Sequence, residues 1–208
     1  MSVQPLRTAE ITADPMCAAM ELRLPSGEHV VFRPLRAEDA TLLGEYFTSL
    51  TRETTRFYGP HAFDQATADQ LCGSINYDDT IRFVALTRVD GREQIVAYFI
   101  LVLGTSESDG KRYADVGIRL DPAQDCTFAP SVREQFQNQG LGTPLFRHVI
   151  HVARRLGRRK MVLMGGVQVL NTRGIHFYEK QGFRRVGGFE GPPGIFSQDM
   201  ELDLLLDS

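Results

Sequence analysis

Apolar residues in the first part of the chain follow first a strand period and then a helical one. The run HVVFRPL, which begins at His29, predicts a strand. Apolar residues at helical spacing come next, at positions 42, 43, 46, 47 and 50, with acidic residues in the first turn. A weaker helical pattern over 64–75 follows the breaker Gly59-Pro60. The order predicted for this region is therefore strand, helix, helix.

The middle of the chain is predicted to be rich in strands. Two β-rich runs, 81–89 and 94–103, flank the dipeptide Asp90-Gly91, which is a strong signal for a hairpin turn. After a polar loop over 104–110, the residues of 113–120 again fit a strand. This succession predicts a β-rich centre for the domain.

The next two elements are a strand and the clearest helix of the chain. The strand over 126–132 contains Pro130, which has no N–H for a neighbouring strand, so we expect a bulge or a sheet edge at that point. The helix over 144–156 begins with a proline and carries one apolar stripe. Thr143 is its expected N-cap, and Gly157 is its expected stop.

The C-terminal part is predicted to combine short strands with one further helix. An apolar strand over 161–167 precedes a helix over 172–181, for which Asn171 is the expected N-cap. Two last strands are predicted over 183–189 and 198–205, joined by the loop EGPPG.

Length and composition fit one soluble domain. The 208 residues are 42% hydrophobic and 24% charged, close to the averages of globular proteins. We expect a single domain over 21–208, preceded by an arm over 1–20 that shows neither period. Neither a signal segment nor a run of about 18 apolar residues is visible, so we expect a cytoplasmic protein that does not bind membranes.

Charge and metal-binding residues exclude further classes of partner. The formal net charge is −3, which gives no general attraction to nucleic acid. The three cysteines, Cys17, Cys72 and Cys126, lie far apart and predict neither disulfides nor a zinc site. The five histidines have no metal-ligand spacing, so we expect no metal.

The segment VREQFQNQGLGT, from Val132 to Thr143, carries the main chemical signal. In it a strand runs into a turn with Gly140 and Gly142 that opens a helix. Such a turn presents unpaired N–H groups at the positive end of a helix dipole, which suits a phosphate or pyrophosphate. A plain glycine turn before an amphipathic helix is the alternative.

Two common nucleotide-binding loops do not fit this segment. A Rossmann fingerprint needs a third glycine where Leu145 stands, and a carboxylate that the next strand, over 161–168, lacks. A Walker A loop ends in Gly-Lys-Ser/Thr, whereas Gly142 is followed by Thr143 and Pro144. Neither a dinucleotide nor a nucleoside triphosphate is therefore expected.

The loop and the helix after it resemble the Gcn5-related N-acetyltransferases, the GNAT family. The signature of that family is Arg/Gln-x-x-Gly-x-Gly/Ala in the pyrophosphate loop, followed later by an Asn, a Tyr seven residues on and a Gly-Phe that ends the helix. The matching residues are Gln137, Gly140, Gly142, Asn171, Tyr178, Gly182 and Phe183. The resemblance spans about residues 29–205.

That resemblance implies both a fold and an activity. The fold is the mixed α/β GNAT fold, a central, mostly antiparallel sheet of about seven strands with splayed middle strands and flanking helices. The activity is transfer of the acetyl group of acetyl-CoA, a co-substrate, to an amine of a small molecule or peptide, by direct attack in a ternary complex. The alternative is a catalytically silent acyl-CoA-binding module on the same fold. A homodimer is left open.

The resemblance also implies roles for particular residues. Main-chain groups of Val132 and Glu134 would pair with the pantetheine arm, which enters where the strands splay. Asn171 and Phe177 would lie beside the arm, and the Tyr178 hydroxyl would protonate the departing thiolate. The pyrophosphate would lie on the main chain of Gln137, Asn138, Gln139, Gly140, Leu141, Gly142 and Thr143. On spacing alone, Asn171 is equally an N-cap and Tyr178 a core aromatic.

Several points stay open at this level. Asp115, Asp125 and Glu134 are candidates for the general base, and the sequence does not choose among them. The basic run over 154–160 is interpreted as a solvated helix end, with the CoA 3′-phosphate and nucleic acid as alternative partners. No motif marks the segments expected to shape the acceptor pocket, 36–80 and 189–197.

Overall fold

The computed structural model of the protein describes residues 4–191 and 194–205. Its strands are β1 (Met20–Arg23), β2 (His29–Pro34), β3 (Thr80–Val89), β4 (Arg92–Val102), β5 (Asp125–Val132), β6 (Lys160–Leu163), β7 (Val167–Gln168), β8 (Arg184–Gly191) and β9 (Ile195–Asp203). Its α-helices are α1 (Thr8–Ala13), α2 (Ala40–Ser49), α3 (Arg52–Thr55), α4 (Gln65–Gly73), α5 (Glu107–Asp115), α6 (Gly142–Arg155) and α7 (Thr172–Lys180). Pro192 and Pro193, in the predicted loop EGPPG, lie outside the described residues.

Within the described ranges, nine strands form one sheet in the order β1-β2-β3-β4-β5-β6-β9-β7, with β8 paired to β9. Every strand pair is antiparallel except β5 and β6. The predicted fold class is confirmed, and the sheet has two strands more than expected. No helix among these residues is long and apolar enough to cross a membrane.

The parallel pair β5–β6 separates halfway along its length. Pairing runs from Asp125 opposite Lys160 as far as Phe128 opposite Leu163. Beyond that point β5 continues to Val132 with β4 as its partner, and the β4–β5 register runs without a shift. Pro130 lies on this one-sided stretch, so the prediction of a local sheet edge is confirmed and the alternative of a bulge is not needed.

Helices cover both faces of the sheet, as predicted. One face packs against α2 and α4, whose buried residues there are Leu43, Tyr46, Phe47, Ala68 and Cys72. The opposite face packs against α6, whose buried residues are Leu145, Phe146, Val149, Ile150, Val152 and Ala153. Burial of these apolar stripes is the main source of the free energy that holds the layers together.

The N-terminal segment packs on the α6 side of the molecule. Leu6 and Ile11 are buried in the same core as α6. The N–H of Leu6 donates to the carbonyl of Arg155 at 2.9 Å, and the Nε2 of His148 donates to the carbonyl of Ala18 at 2.9 Å. Residues 4–20 are therefore docked by main-chain and side-chain contacts.

The predictions of a polar loop over 104–110 and a strand over 113–120 are both wrong, because helix α5 occupies 107–115. Ser106 caps this helix by accepting from the N–H of Asp109 at 3.0 Å. Tyr113 is fully buried, and its hydroxyl donates to the carbonyl of Met200 at 2.7 Å. One buried aromatic on an otherwise polar helix gives no helical stripe, so the hydrophobic pattern alone misassigned the segment.

The start predicted for the long helix is also wrong. Helix α6 begins at Gly142 and is preceded by Leu141, which is already in helical conformation, so Thr143 is not the N-cap. The Thr143 hydroxyl instead accepts from the Nε2 of Gln181, on the turn after α7, at 3.3 Å. Pro144 then falls within the first turn, where an N–H would have no intrahelical acceptor.

The strand predicted over 161–167 is split into β6 and the short β7. Gly165 and Gly166 stand between them with φ angles of 64° and 67°, a conformation that favours glycine and ends the extended run. The break follows the rung where β5 and β6 separate, so β6 turns away from β5 at this point.

Candidate active site

A cleft of about 1010 Å³ opens where β5 and β6 separate. Its walls also include the glycine-rich turn, helix α7 and the segment 53–60 between α2 and α4. The predicted site residues that line it are Val132, Glu134, Gln137, Asn138, Gly140, Gly142, Thr143, Asn171, Phe177 and Tyr178. Gln139 and Leu141 do not line it. Leu141 is buried in the core, and the Gln139 side chain donates to the carbonyl of Gln135 at 2.5 Å.

The free edge of β5 faces this cleft with main-chain groups. The N–H of Arg133 donates to the carbonyl of Val96 on β4 at 2.9 Å. Because polar groups alternate in direction along a strand, the N–H and carbonyl of Val132 point the other way, toward the gap that β6 leaves. The Val132 carbonyl accepts from the Nε2 of Gln137 at 2.6 Å, which leaves its N–H for a ligand.

The glycine-rich turn is open to an approaching ligand. Asn138 and Gly140 have φ angles of 61° and 81°, so two left-handed residues turn the chain from β5 toward α6. A Cβ placed on Gly140 would meet no atom within 4 Å. At Gly142 the Phe177 ring lies 3.5 Å from a Cβ position, so this glycine allows close contact between α6 and α7. The main chain at the start of α6 is thereby exposed, as a pyrophosphate requires.

Gln137 links three parts of the cleft wall. Its Nε2 holds the end of β5, and its Oε1 accepts a hydrogen bond from the Arg173 guanidinium in the first turn of α7. An arginine at this position has no acceptor atom, so the glutamine makes a bridge that arginine does not. Sequence reasoning missed Arg173. A cation in the first turn of a helix is unfavourable because of the helix dipole, so the position of Arg173 could have indicated a functional role.

Helix α7 brings the other predicted residues to the cleft. The Oδ1 of Asn171 accepts from the N–H of Gly174 at 2.9 Å, so Asn171 is the N-cap of the helix and also lines the cleft. The Tyr178 ring packs against Phe177 and Phe183, with centroids 5.6 Å and 5.4 Å away. Among the described residues, its hydroxyl has no hydrogen-bond partner. Burial raises the pKa of Tyr178, so the phenol is protonated at neutral pH.

The structure separates the three candidate bases. Glu134 lines the cleft, whereas Asp115 ends α5 and is exposed. Asp125 lies at the end of β5 away from the gap and accepts from the N–H of Asp121 at 2.8 Å. Of the three, only Glu134 therefore lies in the wall of the cleft.

The Glu134 carboxylate accepts hydrogen bonds from the segment that follows α2. The hydroxyls of Thr51 and Thr54 both donate to its Oε1, and the N–H of Thr51 lies 3.4 Å from the same oxygen. Burial acts to raise the pKa of Glu134, but these hydrogen bonds outweigh it and the pKa is lowered. A carboxylate with a lowered pKa is ionised at neutral pH and is a weak base.

The basic run at the other end of α6 does not line the cleft. Arg154 and Arg158 donate to the carbonyls of Leu204 and Ala123, at 2.6 Å and 2.7 Å. Lys160 lies 2.9 Å from Glu201. These contacts attach the C-terminal end of the helix to the sheet and its loops, so the predicted solvated helix end is partly buried and paired.

The free strand edge, the open turn at a helix start and the buried tyrosine belong to one cleft. A family model described as the acetyltransferase (GNAT) family matches residues 45–183. The chain belongs to this family, and the protein is an acyltransferase.

Known proteins agree with this assignment. The chain is 34% identical over 141 residues to the acetyltransferase PA5475 of Pseudomonas aeruginosa, an alignment that covers 66% of this chain and 67% of that protein. The GNAT domain of S. lividans PAT superposes with a TM-score of 0.69 at 19% identity, covering 91% and 98% of the two chains. The structure of AAC(6')-Ib in complex with paromomycin and acetyl-CoA has a TM-score of 0.62 at 20% identity, covering 84% and 93%.

Proposed function

We propose that the protein transfers the acetyl group of acetyl-CoA to an amine by direct attack within a ternary complex. The observation that carries this proposal is the layout of the cleft. The open turn at Gly140, the Tyr178 side chain and the free edge of β5 line one cleft, so a co-substrate lying along β5 would have its pyrophosphate on the turn and its thioester near Tyr178.

The main chain from Gln137 to Thr143 would hold the pyrophosphate of the co-substrate. Its exposed N–H groups stand at the positive end of the α6 dipole, and no side chain blocks the approach at Gly140. The N–H of Val132 would pair with the pantetheine arm in the way that a neighbouring strand does. Phe177 supplies an apolar surface beside that arm.

The chemistry requires a proton for the departing sulfur. A neutral amine attacks the thioester carbonyl, the new C–N bond forms, and the C–S bond breaks with its electron pair on the sulfur. Tyr178 is protonated and has no competing partner among the described residues, so its hydroxyl is available to donate to the thiolate. The proton lost by the amine passes to solvent, because the one carboxylate retained as a candidate, Glu134, is a weak base.

Direct attack is supported by the positions of possible nucleophiles. Cys17 lies in the N-terminal segment, and Cys72 and Cys126 are buried in the core; none of them lines the cleft. Ser131 does line it, but its hydroxyl is 2.5 Å from the hydroxyl of Tyr46, and the structure shows no base beside it. A covalent acetyl-enzyme is therefore not expected.

A structural neighbour supports an amine as the acceptor. AAC(6')-Ib is similar in fold and was solved with an aminoglycoside, paromomycin, bound together with acetyl-CoA. In this chain the segment 53–60 and Glu134 line the cleft, and the acceptor amine, on a small molecule or a peptide end, would bind against them.

The test is incubation with acetyl-CoA and a panel of amines, with CoA thiol release and product mass as readouts. Transfer is expected only when both substrates are present, and Gly140→Asp serves as the inactive control. Intact-mass spectra of the protein with acetyl-CoA alone should show no added acetyl group. An acetyl-enzyme that passes its group to an amine would replace direct attack by a two-step route. Tight CoA binding without transfer to any amine would contradict the proposed activity.

A further inference from the structure

Two buried polar atoms, one of them on a residue that lines the cleft, have no hydrogen-bond partner among the described residues. Tyr58 lines the cleft, and its hydroxyl oxygen is shielded from solvent. The Nε of Arg82, on β3, is shielded in the same way. Neither atom has a hydrogen-bond partner among the described residues. A buried donor without an acceptor is unfavourable, so each of these groups requires an explanation.

Arg82 is also a cation without a counter-charge. In the described part of the chain, no carboxylate oxygen lies within 4.0 Å of its guanidinium, although the side chain is largely buried. Two other interior arginines have a carboxylate partner: Arg33 lies 2.7 Å from Asp39, and Arg112 lies 3.1 Å from Asp199. Arg133 and Arg158 have neutral acceptors instead, the Oε1 of Gln94 at 2.5 Å and the carbonyl of Ala123 at 2.7 Å. The guanidinium of Arg82 lies beside the uncharged Tyr98 hydroxyl. Because burying an unpaired charge is costly, an anionic ligand would stabilise Arg82.

Strand register connects Arg82 to the cleft. Arg82 stands directly opposite Ile100 on β4, which stands directly opposite Ala129 on β5. Residues opposite one another lie on the same face of a sheet, with neighbouring strands about 4.8 Å apart. Ala129 lines the cleft at the point where β5 loses its pairing with β6. Arg82 does not itself line the cleft, and one strand, β4, separates it from the cleft wall at Ala129.

An aromatic wall joins Arg82 to Tyr58 on that face. Tyr58 stacks on Phe63 at 5.7 Å, and Phe63 packs on His61 at 5.3 Å. The Nε2 of His61 lies 3.2 Å from the Tyr98 hydroxyl, and its Nδ1 lies 2.7 Å from the carbonyl of Ala62. Burial and the nearby Arg82 lower the pKa of His61, so the imidazole is neutral and brings no negative charge.

The acid that acts on His61 is already engaged. Asp64 raises the pKa of His61 slightly against those effects, which places it in the neighbourhood. Its carboxylate accepts from the N–H of Thr67 at 2.8 Å as the N-cap of α4, and it is exposed. The wall is thus built from apolar rings and hydrogen-bond donors, with one uncompensated cation.

We propose that Arg82 and Tyr58 form the anion-recognition end of the acceptor pocket, so that the acceptor is a small amine that also carries a carboxylate. The guanidinium presents a planar fork of donors that matches a carboxylate, and the Tyr58 hydroxyl adds one more donor. An amine without the anionic group leaves these donors unpaired, which discriminates strongly against it. This inference rests on the proposed acetyl transfer and specifies its substrate class.

The test compares matched amines that differ only in the carboxylate, namely amino acids and their amides, as acetyl acceptors. The acids are expected to be preferred. Arg82→Met should raise KM for the acids by about 10- to 100-fold and remove the preference, since charged hydrogen bonds have that worth. Tyr58→Phe should raise KM for the acids by a smaller factor. The control is Arg88→Met, which removes an exposed arginine from the same strand and should change nothing.

Three further measurements make the outcome decisive. Calorimetric titration should show acetyl-CoA binding unchanged in Arg82→Met; failure of the wild-type protein to bind acetyl-CoA would count against the proposed function itself. The thermal midpoint of Arg82→Met should stay level or rise, because an unpaired buried cation is removed, and a marked fall would show that the fold already satisfies Arg82. Arg82→Lys should retain part of the preference. Amides acetylated as well as acids, or no acid accepted at all, would overturn the inference.

Discussion

The side-chain amide of Gln137 donates a 2.6 Å hydrogen bond to the main-chain carbonyl of Val132. This bond closes the turn between the free edge of β5 and the start of α6. It also occupies the carbonyl of Val132 and leaves the N–H of that residue facing the cleft. The two ends of the proposed CoA site, the arm-binding strand and the phosphate-binding turn, are thereby held in one arrangement.

Replacement of Gln137 by alanine should therefore weaken CoA binding without unfolding the protein. The variant loses the bond to Val132 and the contact with Arg173, so the turn must be ordered by the ligand. One such hydrogen bond is worth about 0.5–1.5 kcal/mol, which corresponds to about a 2- to 12-fold rise in the CoA dissociation constant. Calorimetric titration with CoA measures this change in the dissociation constant. Unchanged affinity would show that the turn is ordered without this bridge.

Gly140→Asp should abolish CoA binding. Gly140 has a φ angle of 81°, and the space above it is open, so aspartate would place a Cβ and a negative charge where the pyrophosphate must lie. Gly117→Asp is the matched control, because Gly117 has a φ angle of 78°, equally open surroundings and a position outside the cleft. Both variants should lose similar thermal stability. Retained CoA affinity in folded Gly140→Asp would remove this turn from the site.

Tyr178→Phe should lower kcat while the CoA dissociation constant stays nearly constant. The ring that packs between Phe177 and Phe183 is kept, and only the proton donor is lost. General-acid catalysis contributes about 10²- to 10⁴-fold to rate, so kcat should fall by that order.

Tyr113→Phe is the matched control for this substitution, since the Tyr113 hydroxyl donates to the buried carbonyl of Met200. That variant should lose about 1–3 kcal/mol of stability and keep kcat. A lowered thermal midpoint with near-normal kcat in Tyr178→Phe would assign Tyr178 to the core instead.

Unfolding free energy should fall as the pH is lowered from about 7 to 5. Burial lowers the pKa of His148, whose ring packs beside Phe32 and donates to the carbonyl of Ala18. Below about pH 6.5 the unfolded chain binds a proton that the folded protein does not, so stability is lost at up to about 1.4 kcal/mol per pH unit. The loss stops once the pH passes the folded pKa. Burial lowers the pKa of His61 too, and it adds to the effect.

Denaturant titrations across this pH range would measure the slope. His148→Gln keeps a donor toward Ala18 and should flatten the slope. His176→Gln, at an exposed position on α7, should leave it unchanged. Equal slopes in all three proteins would show that His148 does not report on folding.

The sequence alone determined those features whose physical causes are local. A left-handed turn requires glycine at 140, and an asparagine before a helix caps its own N–H groups, so the turn and the start of α7 were predictable at Gly140 and Asn171. The layered α/β fold was predictable from the spacing of apolar residues, because the apolar face of each helix and strand must pack against another element. The predicted start of α6 was two residues late because Leu141, which precedes the helix, has no side chain that can cap it, so no local signal marks the true start.

Only the tertiary structure decided which distant residues meet. Helix α5 is held by a contact between Tyr113 and Met200, 87 residues apart, which no local pattern reveals. Glu134 was singled out from Asp115 and Asp125 by its place beside the gap and by its bonds to Thr51 and Thr54. Arg82, Ile100 and Ala129 are brought side by side by the register of three neighbouring strands. Register and the packing of layers depend on the whole chain at once, so the acceptor side of the cleft, unlike its phosphate turn, left no signature in the sequence.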